Sequence, residues 1–153
     1  MTKVYISATE GTIGAVGDQK AGVLMGASMT VNTGRVIVPV GDGSRVFSAV
    51  KMTEPEITFS LTLELEEDTG ASDVDTERVA YEANGVRLFR LELDGSDASH
   101  SMVIDWAGKY DSIGGYENSD GNTTVTLEGH AVYSSGDALF WETVVTNLLS
   151  TIA

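Results

Sequence analysis

The sequence predicts a mainly β domain, an antiparallel β-sandwich or barrel with one short α-helix (about residues 73–84) on its flank. Residues 56–66 read Glu-Ile-Thr-Phe-Ser-Leu-Thr-Leu-Glu-Leu-Glu, apolar at every odd position from Ile57 to Leu65 and polar at every even one. That period of 2 marks a strand with one dry and one wet face. Six or more strand-like stretches recur along the chain between Gly, Asn and Asp turn signals, and a single helical segment falls between two of them. With 153 residues and 42% hydrophobic content, the chain is long enough to bury about two-thirds of the surface its unfolded form exposes. One domain over residues 1–153 is expected, with residues 1–22 as an N-terminal strand or arm and a flexible loop.

In chain order, residues 3–8 alternate, with Val4, Ile6 and Ala8 on one side, and residues 9–22 form a Gly-rich loop. Residues 23–31 alternate again, placing Val23, Met25, Ala27, Met29 and Val31 on one face. Asn32-Thr33-Gly34 is a turn signal, so residues 35–40 read as a return strand, demoted to an edge or bulge by Pro39. Gly41-Asp42-Gly43-Ser44 turns into a weak strand over residues 45–52, and Pro55 forces an extended entry to the strand at 56–66. The helix starts at Ser72-Asp73, with Asp73, Asp75 and Glu77 favourable in its positive first turn. Val74 and Tyr81 share a stripe, and Asn84-Gly85 supplies the stop. Residues 86–93 return to strand with a phase break at Phe89, which implies a bulge or burial on both faces. Residues 101–106 form a strand of mixed pattern, 107–122 a long loop, and 123–133 an alternating strand interrupted by Gly129. Residues 138–152 read as a strand followed by a short tail.

The charge bounds function. Twenty-three acidic and nine basic residues give a net charge of −14, which argues against gripping nucleic acid, because phosphate binding rises with Lys and Arg contacts. A surface that DNA must pass without sticking should be acidic for the same Coulombic reason. The absence of cysteine removes disulfides and thiolate chemistry. No run approaches the roughly 18 apolar residues of a bilayer span, and no signal-peptide pattern opens the chain, so synthesis and folding in the cytoplasm are expected.

Catalytic constellations are missing. Residues 17–22 have the glycine spacing of a phosphate loop, but Val23-Leu24 follow where Lys and Ser or Thr are required. His100 and His130 have no second ligand at a metal-binding spacing, and the carboxylate pairs Glu54/Glu56 and Glu64/Glu66 read as a solvated face. No catalysis, cofactor or metal is predicted. Trp106, Tyr110 and Tyr116 suit either the plug of a sandwich end, a subunit interface or a sugar platform. A carbohydrate- or ligand-binding β-sandwich is therefore the alternative reading.

The order of features resembles the tail-tube (major tail) proteins of long-tailed bacteriophages. The features are the alternating strand at 56–66, the short helix ending Ala83-Asn84-Gly85, the strand at 86–93 with Asp94-Gly95, Trp106-Ala107-Gly108-Lys109-Tyr110, a Gly-rich loop, the Thr-rich strand at 123–133, and a tail holding Phe140 and Asn147. The resemblance spans roughly residues 20–150 and is weaker in the N-terminal third. It implies a structural virion protein assembled in the host cytoplasm, forming hexameric rings that stack into a hollow tube for DNA delivery. It also implies tape-measure, tail-tip and terminator proteins as partners, DNA only in passing, and no membrane. On this resemblance Thr58, Ser60, Thr62, Glu64 and Glu66 face the lumen, and Lys3, Tyr5, Asp42, Arg45, Trp106, Tyr110 and Tyr116 are candidates for contacts between subunits or rings.

Overall fold

The computed structural model describes residues 2–8, 11, 13–14, 19–20, 24–38, 49–65, 73–95, 100–119 and 121–147. Its elements in order are β1 (Thr2–Ser7), β2 (Leu24–Asn32), β3 (Arg35–Val38), β4 (Ala49–Met52), β5 (Glu56–Glu64), α1 (Asp73–Glu82), β6 (Arg87–Asp94), β7 (Ser101–Ile113), β8 (Glu117–Ser119), β9 (Asn122–Ala131) and β10 (Trp141–Thr146). An antiparallel eight-stranded sheet runs β1-β6-β7-β9-β5-β2, with β10 paired to β7 and β8 to β9. The mainly β class and the single short helix are as the sequence predicts.

The thirteen-residue β7 joins the two halves of the sheet. Its first half pairs with β6 and β10, and its second half, from Gly108 onward, with β9. Three strand steps separate β6 from β5, about 14 Å in a flat sheet. The rings of Phe89 in β6 and Phe59 in β5 nevertheless lie 4.6 Å apart between centroids. The sheet must therefore curl around a shared interior. That interior holds Val4, Ile6, Phe59, Leu61, Leu63, Val74, Phe89, Ile104, Trp106, Tyr110, Val125 and Leu127.

Strand β5 behaves as its alternation requires: Ile57, Phe59, Leu61 and Leu63 are buried, whereas Thr58, Ser60, Thr62 and Glu64 lie on the other face. Strand β6 resolves the phase break at Phe89 as burial on both faces, because its register with β1 and β7 is unbroken. Phe89 enters the main core, and Leu88 packs on the opposite face with Ala107 and Leu139.

Three local readings are corrected. The segment after Asn32-Thr33-Gly34 does not return along β2: β3 pairs with β4 in a separate two-stranded ribbon, and β2 pairs with β5. Gly34 takes φ +66° at that corner, and its carbonyl accepts from the Thr53 N–H at 2.8 Å and the Thr53 hydroxyl at 3.0 Å. These bonds close the base of the ribbon instead of a hairpin on β2. In β2 a bulge between Leu24 and Gly26 changes the phase, so Leu24 packs on the core and Met25 stands exposed. Finally, residues 107–113, read as loop, continue β7, with a second irregularity between Tyr110 and Ser112.

Helix α1 ends in a Schellman motif: the Gly85 N–H donates to the Ala80 carbonyl at 2.9 Å and the Asn84 N–H to that of Tyr81 at 2.9 Å. Asn84 occupies the left-handed position at φ 50°. The buried stripe consists of Val74 and Glu77, and Tyr81, placed on the stripe by the sequence, is 39% exposed. With 3.6 residues per turn, Glu77 is the residue one turn from Val74 that faces the sheet.

At the β1–β6 edge the Lys3 ammonium lies 2.7 Å from Asp94 and 3.1 Å from Glu92. Hydrogen bonds to Asp94 and then Glu92 raise the Lys3 pKa above the usual lysine range, and the bond from Lys3 lowers that of Asp94. A depressed carboxylate pKa stabilises the fold above the unfolded value of about 3.9 and loses that contribution as pH falls through the folded one. The raised lysine pKa stabilises below about 10.4 and is lost as pH rises through its folded value. Lys3→Met is therefore expected to be less stable than wild type at neutral pH in urea titrations, with the gap closing as Asp94 protonates. A gap that persists unchanged into acid would assign the effect to the packing of the lysine stem.

Candidate functional site

The wet face of β5 is the middle of a broader polar wall. Antiparallel register sets Ser28 of β2 and Glu128 of β9 beside Ser60, Thr30 and His130 beside Thr58, and Gly26 and Thr126 beside Thr62. Directly opposed residues point to the same face, so three strands present one surface, which Ser112 of β7, opposite Glu128, extends. The Thr62 and Thr126 hydroxyl oxygens are 3.4 Å apart, and the Ser112 hydroxyl donates to Glu128 at 3.2 Å. His130 Nδ1 lies 2.7 Å from an Asp111 oxygen. A shallow depression of about 270 Å³ is lined by Ser28, Thr30, Thr58, Ser60, Asp111 and Glu128.

This wall is hydroxyl-rich first and acidic second. On β2, β5, β7 and β9 its described carboxylates are Glu56, Glu64, Asp111 and Glu128, against Lys109, opposite His130, so the formal sum is 1 − 4 = −3 with His130 neutral. Glu66, expected on the same face, falls outside the described residues. The β9 contribution was visible in the alternation of residues 123–133. The Asp111 contribution was not, since its place depends on the irregularity in β7.

The structure separates the candidate contact residues. Tyr5, Trp106 and Tyr110 are buried in this chain, with 6%, 2% and 6% exposure; Trp106 and Tyr110 belong to the interior, whereas Tyr5 lies between Val4 and Ile6 on the other face of β1. Trp106 stacks on Phe89 at 5.2 Å and 11°, and Tyr110 meets Phe59 and Phe89 edge-on. Lys3 is half-buried in its pairing with Glu92 and Asp94. Tyr116 is 55% exposed, with the Arg78 guanidinium 5.4 Å from its ring and donating to its hydroxyl at 3.1 Å. Asp42 and Arg45 fall outside the described residues.

Sequence reasoning missed two features. The first is a buried charge cluster at Glu77, which is fully buried and accepts from Arg87 Nη2 at 2.7 Å, Arg87 Nε at 3.0 Å and the Tyr110 hydroxyl at 2.8 Å. The Lys20 ammonium lies 3.7 Å away. Burial first, and then the Glu77 charge, push the Tyr110 pKa well above its ordinary value, so the phenol stays a donor. The second is apolar edge surface. All six residues of β10, which pairs with β7, are exposed, among them Trp141, Val144 and Val145, and β2, an end strand of the sheet, contains no charged residue. A groove of about 310 Å³ beside β10 is lined by Val31, Arg35, Met52, Pro55, Phe140 and Trp141. Long edges without Lys or Pro are templates for further strands. Among the described residues, no cluster of three or more potential metal ligands occurs, and no helix is long and apolar enough to cross a membrane.

No protein-family model matches the chain, and no curated protein matches it. Among solved structures, one similar chain belongs to the tail of an empty gene transfer agent (GTA) particle, refined helically with C6 symmetry. The two are 14% identical, the match covers 86% of this chain and 92% of the other, and the TM-score is 0.51. This chain shares the fold of that tail chain. A chain from the virion of a native GTA particle is similar at 14% identity, over 81% of this chain and 85% of the other, with a TM-score of 0.48. The sequence resemblance to tail-tube proteins and the likeness to a tail chain agree at the level of the fold.

Proposed function

We propose that this chain is a structural tail protein that forms stacked hexameric rings and so builds a hollow tube for DNA delivery. The observation that carries the reading is the fold shared with a chain of a C6-symmetric tail along nearly the full length of both. Two features of the chain support it. Uncharged β2 and exposed β10 offer different edges of one sheet, and pairing unlike edges head to tail closes a ring. The wall of Ser28, Thr30, Thr58, Ser60, Thr62 and Thr126, flanked by Glu64 and Glu128, then faces the lumen together with Glu66. Six copies gather 6 × 14 = 84 formal negative charges, which disfavour adhesion of DNA phosphate.

In this reading the chain works in the virion after assembly in the host cytoplasm. Its partners are further copies of itself, a tape-measure protein in the lumen, and tail-tip and terminator proteins at the ends. Its role is mechanical and not catalytic. The sugar-binding alternative loses its platform, because Trp106 and Tyr110 are buried and the Tyr116 ring is engaged by Arg78.

Negative-stain microscopy of the concentrated, purified protein is expected to show rings or hollow tubes. Because the chain has no cysteine, Ser60→Cys gives a single reporter, expected to react with a bulky maleimide in the monomer and to be shielded in tubes. A persistent monomer would overturn the reading, and tubes that label freely at position 60 would overturn the orientation of the wall.

A further inference from the structure

Of the asparagines in the chain, Asn32, Asn84, Asn118, Asn122 and Asn147, only Asn84 is followed by glycine. A backbone nitrogen can attack the side chain of the asparagine before it, and glycine, with no Cβ, leaves its nitrogen open to that approach. The pair also sits at an accessible corner: Asn84 is exposed and Gly85 half-buried.

The same corner restrains the reaction. The Gly85 N–H donates to the Ala80 carbonyl at 2.9 Å, which opposes loss of the proton that would make the nitrogen a nucleophile. Asn84 is held in the left-handed region at φ 50°. Ring closure eclipses the Gly85 nitrogen with the Asn84 Cβ, a rotation that breaks the bond to Ala80. Both restraints belong to the end of a ten-residue helix, and helix ends open at lower cost than a whole domain.

A change at this corner reaches the interior. Glu77 of α1 and Arg87 of β6 are joined by hydrogen bonds of 2.7 and 3.0 Å, and the chain between them runs through Asn84-Gly85.

We propose that Asn84 is a spontaneous modification site guarded by the helix cap, and that its conversion slackens the tie between Glu77 and Arg87. When the helix end opens, the Gly85 nitrogen bonds to Cγ of Asn84 and the Cγ–Nδ2 bond breaks. The displaced amide leaves as ammonia with the Gly85 proton, and a cyclic imide remains. Water then opens the imide at either carbonyl. Opening at the side-chain carbonyl gives Asp, a negative charge at the unfavourable end of the helix dipole. Opening at the backbone carbonyl gives isoaspartate, whose backbone carries one extra carbon between Glu77 and Arg87.

The test incubates full-length wild type in mildly alkaline buffer, folded and in guanidinium chloride, and follows ammonia release and the mass of the peptide spanning residue 84. Conversion at Asn84 is expected to be at least about tenfold slower in the folded protein, and in the unfolded chain it should outpace the other asparagines. Equal rates in the two states overturn the guard, and an unfolded chain that converts elsewhere before Asn84 overturns the site. Gly85→Ala, with folding checked by circular dichroism, is expected to slow conversion in the unfolded chain. An unchanged rate overturns attack by the Gly85 nitrogen. The isoaspartate form, separated by chromatography, is expected to unfold at a lower denaturant concentration than the unmodified protein, by a smaller margin in Arg87→Met, which lacks the tie. A margin that is zero, or equal in the two backgrounds, overturns the coupling to Glu77 and Arg87.

Discussion

Gly129→Val is expected to remove roughly 3–5 kcal/mol of stability, a large part of the 5–15 kcal/mol typical of a domain. Gly129 of β9 lies between Phe59 of β5 and Tyr110 of β7 in the register. A Cβ there would strike the Lys109 carbonyl oxygen and sit 2.6 Å from Cζ of Phe59. The carbonyl belongs to β7, paired with β9, so the β7–β9 pairing and the ring must both give way. Phe59 is wedged against Phe89, Trp106 and Tyr110 at centroid distances of 4.6, 5.8 and 6.1 Å. Moving it disrupts the contact that holds the two halves of the curled sheet together. Overpacking alone costs about 1–3 kcal/mol, and loss of a buried Phe about 3–5 kcal/mol. Gly115→Ala is the control, because a Cβ at that position meets nothing within 4 Å, and its effect should stay within about 0.5 kcal/mol. Urea unfolding of both variants checks the contrast, and equal midpoints would refute the role given to Gly129.

The same glycine shows how far the sequence could be read. Strand β5 was legible because burial on one face leaves a pattern in its own residues, from Ile57 to Leu63. The second half of β7 was not, because its pattern is set by distant partners. Gly108 is small because a Cβ would lie 2.8 Å from Phe59 and 3.2 Å from Phe89, so Trp106, Gly108 and Tyr110 share the inward face without sharing hydrophobicity. The departure of β3 from β2 was hidden for a related reason: Asn32-Thr33-Gly34 specifies a turn, while the Thr53 bonds to Gly34 decide where the chain goes next. The polar wall was half legible. Thr58, Ser60, Thr62 and Glu64 followed from alternation, and so did Glu128 in β9, whereas Ser28 and Asp111 joined them only through register and an irregularity in β7. Trp106 and Tyr110 were ambiguous in the sequence, since an aromatic beside small polar residues suits a core or an interface equally. Their burial follows from the curl that brings β5 over β6.

Glu77→Ala is expected to cost about 3–5 kcal/mol, although an acidic residue near the start of a helix is ordinarily worth at most about 0.3–1 kcal/mol. The difference lies in what the carboxylate neutralises. Its oxygens receive two hydrogen bonds from Arg87 and one from the Tyr110 hydroxyl, with Lys20 at 3.7 Å, and its side chain is fully buried. Removing it takes two hydrogen bonds from the Arg87 guanidinium, a group that stays charged, where little water reaches. It also releases helix α1 from β6 and β7 and loosens the seat of Lys20, whose backbone N–H is bonded to Val4 of β1. Coulomb attraction alone is a weak guide to the magnitude, because desolvation of both ions offsets much of it. The decisive comparison is therefore between Glu77→Ala and the double variant Glu77→Ala/Arg87→Met. If the weakened pairing of the cation dominates, the double variant recovers part of the lost stability, because Met fills similar volume without a charge. If the lost tie between helix and sheet dominates, the double variant is no more stable than the single. Thermal and urea unfolding of the four-member cycle distinguishes the two outcomes, and a loss under about 1 kcal/mol for Glu77→Ala would show that the cluster contributes no more than an exposed pair.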